Sequence, residues 1–177
     1  EGILKSGQID YRNFRAALAC LDSLDGRNKP DRFNEKYAQP LLQSETTPET
    51  LRANILRYFP DNHAAIDDRK LAAWITAKNP QLQREAIWKS RSHLTESTNL
   101  SLRKLALDAK APLPLRLEAT AALGNSESPD TGTLVEILQL KNAKLQAEAL
   151  RSLVGAHHDA VTAAKVNAIK TDSARRA

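Results

Sequence analysis

The sequence predicts an all-α protein, a solenoid of stacked helix pairs, on three observations. The first is a stretch that returns. Leu115-Arg116-Leu117-Glu118-Ala119-Thr120-Ala121-Ala122-Leu123-Gly124 reappears thirty residues on as Leu145-Gln146-Ala147-Glu148-Ala149-Leu150-Arg151-Ser152-Leu153. Leu82-Gln83-Arg84-Glu85-Ala86-Ile87, Leu51-Arg52-Ala53-Asn54-Ile55-Leu56 and Asn13-Phe14-Arg15-Ala16-Ala17-Leu18 keep the same frame. Self-similarity at such a period marks units that bury their apolar faces by stacking on one another. The second observation is another ladder, set one helix and a turn ahead: Ala38, Leu71, Leu102 and Leu134, each with apolar residues three and four places on. Spacing of i, i+3, i+4 is one face of a helix, so each unit holds two helices. The third is composition: 41% hydrophobic residues, 5% aromatic and six glycines, with no alternation of β-branched residues. That balance suits helices.

Taken in order, a lone second-type helix is expected near residues 10–25, ending at Gly26. The first pair spans about 31–60: Ala38 and Leu41/Leu42 mark its first helix, which Pro40 should bend by removing a backbone donor. Thr47-Pro48 opens its second helix. The pair at 64–92 starts on Asp67-Asp68, an acidic first turn that complements the helix dipole. It turns at Asn79-Pro80, a cap followed by proline at the first helical position. The pair at 97–125 reads Asn99 as an N-cap, turns at Pro112 and ends on Gly124; the pair at 130–155 turns at Asn142 and ends on Gly155. Gly26, Gly124 and Gly155 stand where left-handed C-terminal caps are favoured. A first-type helix near 159–171 closes the chain, its Val161, Val166 and Ile169 still apolar. Leu123, Ala149 and Leu153 are expected in the core between pairs. The chain thus begins and ends halfway through a unit, and it holds no methionine, which points to a segment of a larger protein.

The string Leu115-Arg116-x-x-Ala119-x-x-Ala122-Leu123-Gly124 is similar to the second helix of HEAT repeats. The short period resembles the bacterial HEAT-like class first associated with phycobilisome lyases. The likeness covers residues 48–155 best. It implies a right-handed α–α superhelix of about four full helix pairs with a half-repeat at each end, residues 1–177 forming one such segment. It also implies an armadillo-like scaffold whose second helices line a concave surface, with a protein or a neighbouring domain as partner. In the family an arginine follows the first core leucine; here it is present at Arg52 and Arg116 but is Gln83 and Gln146 in the other two pairs, so an arginine ladder should be interrupted. The helix spacing also looks like the middle of exported proteins that join a dehydrogenase domain, HEAT-like repeats and a c-type cytochrome. No Cys-x-x-Cys-His is present to hold haem, and no cofactor is expected.

No apolar run approaches the length of a bilayer-spanning helix, so no membrane insertion is expected. Cys20, the single cysteine, excludes an internal disulfide and a cysteine zinc site, and on its alanine-rich helix it reads as a small buried hydrophobe. His157-His158-Asp159 resembles a metal cluster, yet neighbouring helical side chains diverge by about 100° and do not chelate one ion together. His63 and His93 are single, at helix ends. Glu85, Glu118 and Glu148 hold the same repeat position and should form a row along one edge, which argues for structure and not for a unique acid–base pair. No phosphate loop, zincin helix or nucleophile elbow appears. The chain is read as non-catalytic.

The remaining functional signal is charge. The chain carries +5 overall. The second helices alone carry ten cations, Arg12, Arg15, Arg52, Arg57, Arg84, Lys89, Arg91, Arg116, Lys144 and Arg151, against Glu49, Glu85, Glu118 and Glu148. Arg57, Arg84 and Arg151 fall at the third or seventh place of the pattern, on one helix face. Trp88, also at the seventh place, is expected to be exposed beside Arg84, where it can anchor a peptide or stack on a base; Trp74 falls on a core stripe. These four, Arg57, Arg84, Trp88 and Arg151, are the candidate binding residues. A polyanion such as nucleic acid is the alternative partner.

Overall fold

Nine helices lie among the described residues, which in this computed structural model are 9–26, 35–125 and 129–155, and no strand is present among them. They are α1 (Tyr11–Leu24), α2 (Glu35–Gln43), α3 (Glu49–Tyr58), α4 (Asp68–Trp74), α5 (Pro80–Ser90), α6 (Glu96–Leu107), α7 (Leu113–Gly124), α8 (Thr131–Leu138) and α9 (Ala143–Gly155). His157-His158-Asp159 and the expected helix at 159–171 lie outside the described residues. The chain divides into two compact units, Glu1–Lys89 and Ser90–Ala177.

Both leucine ladders point inward. Leu51 and Leu82 in the first unit, and Leu115 and Leu145 in the second, are at most 4% exposed, and Ala38, Leu71, Leu102 and Leu134 are fully buried. Burying each leucine contributes roughly 1.5–3 kcal/mol. That burial is what gives short helices such as the seven-residue α4 a reason to form. Leu123, Ala149 and Leu153 are buried as the frame requires, and Trp74 is 8% exposed. In the second unit α6 packs on α7 and α8 on α9, while α6 also meets α8 and α7 meets α9. In this unit the first helices therefore meet each other, and so do the second. In the first unit α2 packs on α3. There α3 and α5 are joined by polar contacts: Gln81 Nε2 donates to Asn54 Oδ1 (3.2 Å) and the buried Lys89 Nζ donates to the Phe59 carbonyl (2.6 Å).

One joint recurs in all four pairs. The residue after the first core leucine donates a side-chain hydrogen bond to a carbonyl at the end of the preceding helix. Arg52 reaches Ser44 (3.0 Å), Gln83 reaches Ile75 (2.8 Å), Arg116 reaches Ala106 (3.0 Å) and Gln146 reaches Leu138 (3.0 Å). A helix ends with unsatisfied carbonyls, and these donors satisfy one of them while fixing the angle of the pair. The joint lies within each pair, and glutamine takes it up at Gln83 and Gln146 because a carboxamide N–H reaches the same carbonyl as a guanidinium does. The helix starts alternate in step. Asn79 and Asn142 cap their helices through Oδ1, accepting from Leu82 N (3.0 Å) and Leu145 N (3.1 Å). Pro48 and Pro112 hold the same N-terminal place in the arginine pairs without a side-chain cap. Each unit so contains one proline–arginine pair and one asparagine–glutamine pair.

Several local expectations change. Gly26 has φ +73°, as a left-handed cap requires, but it is the one glycine with positive φ among the described residues. Gly124 is instead the last residue of α7, placed where α9 crosses it most closely. Pro48 is itself the N-cap of α3, not its first helical residue. Asn99 lies inside α6, whose cap is Thr95: the Thr95 and Thr98 side chains each bond the other's backbone N–H, satisfying two donors at once. Pro40 sits within α2 without breaking it. Cys20 is exposed rather than buried. The reason lies in α1, which meets α3 out of the repeat frame. Asn54 bonds the carbonyl of Ile9 (2.7 Å) and Tyr58 stacks edge-on against Phe14 (5.9 Å), so the first turns of α1 face the later turns of α3. Phe14 and Leu18 carry its buried face, and Cys20 turns outward.

Candidate functional site

The ten cations counted on the second helices do not form one surface. Lys89 is 4% exposed, held by the Phe59 carbonyl and by Asp61 Oδ1 (2.6 Å). Arg116 is 8% exposed, and Arg52 spends its guanidinium on the Ser44 carbonyl and over the Trp74 ring, 5.5 Å from its centroid. These three tie helix ends together. They do so because a long cationic side chain can bury its stem and still place N–H groups on carbonyls.

The four candidate binding residues are divided between the two units. Arg57, Arg84 and Trp88 belong to the first unit, on α3 and α5, while Arg151 belongs to the second, on α9. Arg151 pairs with Glu148 three residues before it, one turn away on the same helix. Its partner is a member of the glutamate row. Arg57 has its guanidinium over the ring of Tyr11, 4.3 Å from the centroid. Arg84 and Trp88 are one turn apart on α5 and both exposed, Trp88 by 54%. Because Lys89 and Gln81 bind α5 to α3, the seventh places Arg57 and Trp88 sit on adjacent helices. The second helices of the first unit thus carry an exposed Trp88 and Arg84 on α5, and on α3 an exposed Arg57 stacked on the half-buried Tyr11.

A cleft on the first-helix side of the same unit was not foreseen from the sequence. It measures about 420 Å³ and lies between α2 and α4. Leu42 and Trp74 form its apolar wall; Glu35, Gln39 and Gln43 line it from α2, and Asp67 and Lys70 from the start of α4. His63 closes one end. Its Nδ1 accepts from Ala65 N–H (3.1 Å) and its Nε2 stands 3.1 Å from Glu35 Oε1. Both ring nitrogens are thus occupied, and the ring edge packs on Phe59 (4.5 Å). The sequence suggested a lone helix-end histidine because Glu35 stands far from it along the chain.

In the second unit the first helices α6 and α8 pack together, and Arg103 bridges to Glu136 across them (3.1 Å). Counting from the ladder residues, Arg103 corresponds to Gln39 and Glu136 to Ala73. The strap of the second unit therefore has no counterpart in the first. Among the described residues no group of three or more His, Cys, Asp and Glu stands close enough to hold a metal ion, and no helix is long and apolar enough to cross a membrane. No protein-family model, curated protein or solved structure matches this chain.

Proposed function

We propose that the chain is a HEAT-like, non-catalytic scaffold whose second helices engage a protein partner or a neighbouring domain. The observation that carries this reading is Trp88. Its indole is 54% exposed on a repeat surface, with Arg84 on the same helix and Arg57 on the next. Tryptophan and arginine are the residue types that dominate binding energy at protein interfaces. The first-on-first and second-on-second helix contacts of the second unit, and the joint common to all four pairs, support the repeat reading. A polyanion is the weaker alternative, because phosphate tracks need several cations along one line. Here Arg52, Lys89 and Arg116 turn inward and Arg151 is paired.

Placing a photo-crosslinking amino acid at position 88 in the producing cell tests the proposal. One protein species should be captured from position 88, lost on Arg84→Glu, and not captured from the exposed Lys104 of the other unit. Binding of duplex DNA that collapses between low and moderate salt, with no protein captured, would transfer the function to nucleic acid.

A further inference from the structure

We infer that the cleft between α2 and α4 receives the basic side chain of an arginine or lysine in a partner peptide; this rests on the scaffold reading and gives one partner its chemistry. The cleft presents two carboxylates, Glu35 and Asp67, that pair with no lysine or arginine among the described residues. Glu35 Oε1 lies 3.1 Å from His63 Nε2, and Asp67 uses Oδ1 to accept the Lys70 backbone N–H at the start of α4 (2.8 Å). Lys70, the cation nearest in sequence to Asp67 within the lining, directs Nζ to the Gln43 carbonyl instead (3.2 Å). Glu35 and Asp67 are solvent-exposed at the rim of the cleft, the Glu35 side chain by 54%, so they draw in a cation through water and the attraction falls as salt is added.

The remaining lining suits the same ligand. Leu42 and Trp74 supply an apolar and aromatic wall for the aliphatic stem and the charged head of a long basic side chain. The Gln39 and Gln43 carboxamides, without hydrogen-bond partners among the described residues, are placed to pair with peptide groups on either side of it. The cleft volume of about 420 Å³ falls in the range of ligand-holding clefts. The two units differ at this place. Where the second unit closes its first helices with Arg103 and Glu136, the first has Gln39 and Ala73.

The test titrates the full chain carrying Trp88→Phe, so that Trp74 is its sole tryptophan, with the tripeptides acetyl-Gly-Arg-Gly-amide, its lysine counterpart and its glutamate counterpart. Backbone amide shifts and the Trp74 indole signal are followed. The basic tripeptides should shift the amides of Gln39, Asp67 and Lys70 and the Trp74 indole to saturation, and the glutamate tripeptide should not. Glu35→Gln with Asp67→Asn removes both charges while keeping the side-chain shapes and the N-cap; it should weaken binding at least tenfold without lowering the melting temperature. Gln39→Arg with Ala73→Glu, which installs the strap of the second unit, should abolish it. Equal shifts with the glutamate tripeptide, or undiminished binding in both double variants, overturn the inference. So does the absence of any shift. Such a failure leaves the position-88 crosslink untouched, so the two readings fall separately.

Discussion

Gly124 on α7 approaches Ser152 on α9 so closely that a Cβ placed on the glycine would stand 3.0 Å from the Ser152 Cα and overlap its Cβ. Two second helices cross there with almost nothing between their backbones. In a helix, glycine costs roughly 1 kcal/mol relative to alanine, so a Gly124→Ala change is favoured by propensity and opposed by the crossing. The crossing wins, because the atoms it strikes include a main-chain carbon. Gly124→Ala is expected to destabilise the second unit by about 1–3 kcal/mol, the usual cost of overpacking. Ser152→Gly should recover part of that loss in a double-mutant cycle followed by chemical denaturation. Additive effects of the two changes would contradict the contact.

The joint between helices makes a second prediction. Gln83→Leu and Gln146→Leu each leave a helix-end carbonyl without its side-chain donor. Each should cost about 0.5–1.5 kcal/mol, the net worth of one hydrogen bond. Gln83→Arg should cost little, because Arg52 and Arg116 make the same bond from the same place. If leucine were tolerated as well as arginine, the joint would be ornamental.

These two cases show where the sequence is readable and where it is not. The leucine ladders could be read because burial at a fixed period leaves an apolar residue at every recurrence, and Leu51, Leu82, Leu115 and Leu145 supply one each time. The joint could not, since arginine and glutamine differ in charge and volume and share only an N–H able to reach a backbone carbonyl. Cys20 was misjudged for a related reason: the α1 pattern fits the repeat frame, but Phe14, not a residue late in the helix, meets Tyr58. On the functional side, the exposure of Trp88 followed from its place in the pattern. The cleft was invisible because it arises from a missing contact between α2 and α4, and a gap leaves no periodic mark.

Lys89 and Asp61 are joined by an ion pair whose two sides are unequal, the lysine side chain 5% exposed and the aspartate 52%. Removing the buried partner removes the donor to the Phe59 carbonyl as well. Lys89→Ala should therefore cost about 2–3 kcal/mol, whereas Asp61→Ala leaves the ammonium its carbonyl acceptor but not its counter-ion and should cost less, about 1–2 kcal/mol. Thermal melts of the two single variants measure the asymmetry. Equal losses would mean that the charge pair, not the carbonyl bond, secures the end of α3.

The two tryptophans supply the comparison that bears on function. Trp74 is 8% exposed and lies under the Arg52 guanidinium. Trp74→Ala opens a cavity there and should cost about 3–5 kcal/mol. Trp88 is 54% exposed. Its removal should change stability by no more than about 0.5 kcal/mol, as surface substitutions usually do. A residue that stabilises the fold so little is expected to show its effect in binding. Trp88→Ala should lower affinity for the captured partner at least tenfold, a loss of about 1.4 kcal/mol, while the melting temperature stays at that of the parent. Arg57→Glu gives the matching control: it forfeits the Tyr11 stacking, so a small drop in melting temperature should accompany any loss of binding. If Trp88→Ala instead unfolds the first unit and Arg57→Glu leaves both properties alone, the exposed face is part of the core of a larger assembly and not a surface for transient recognition.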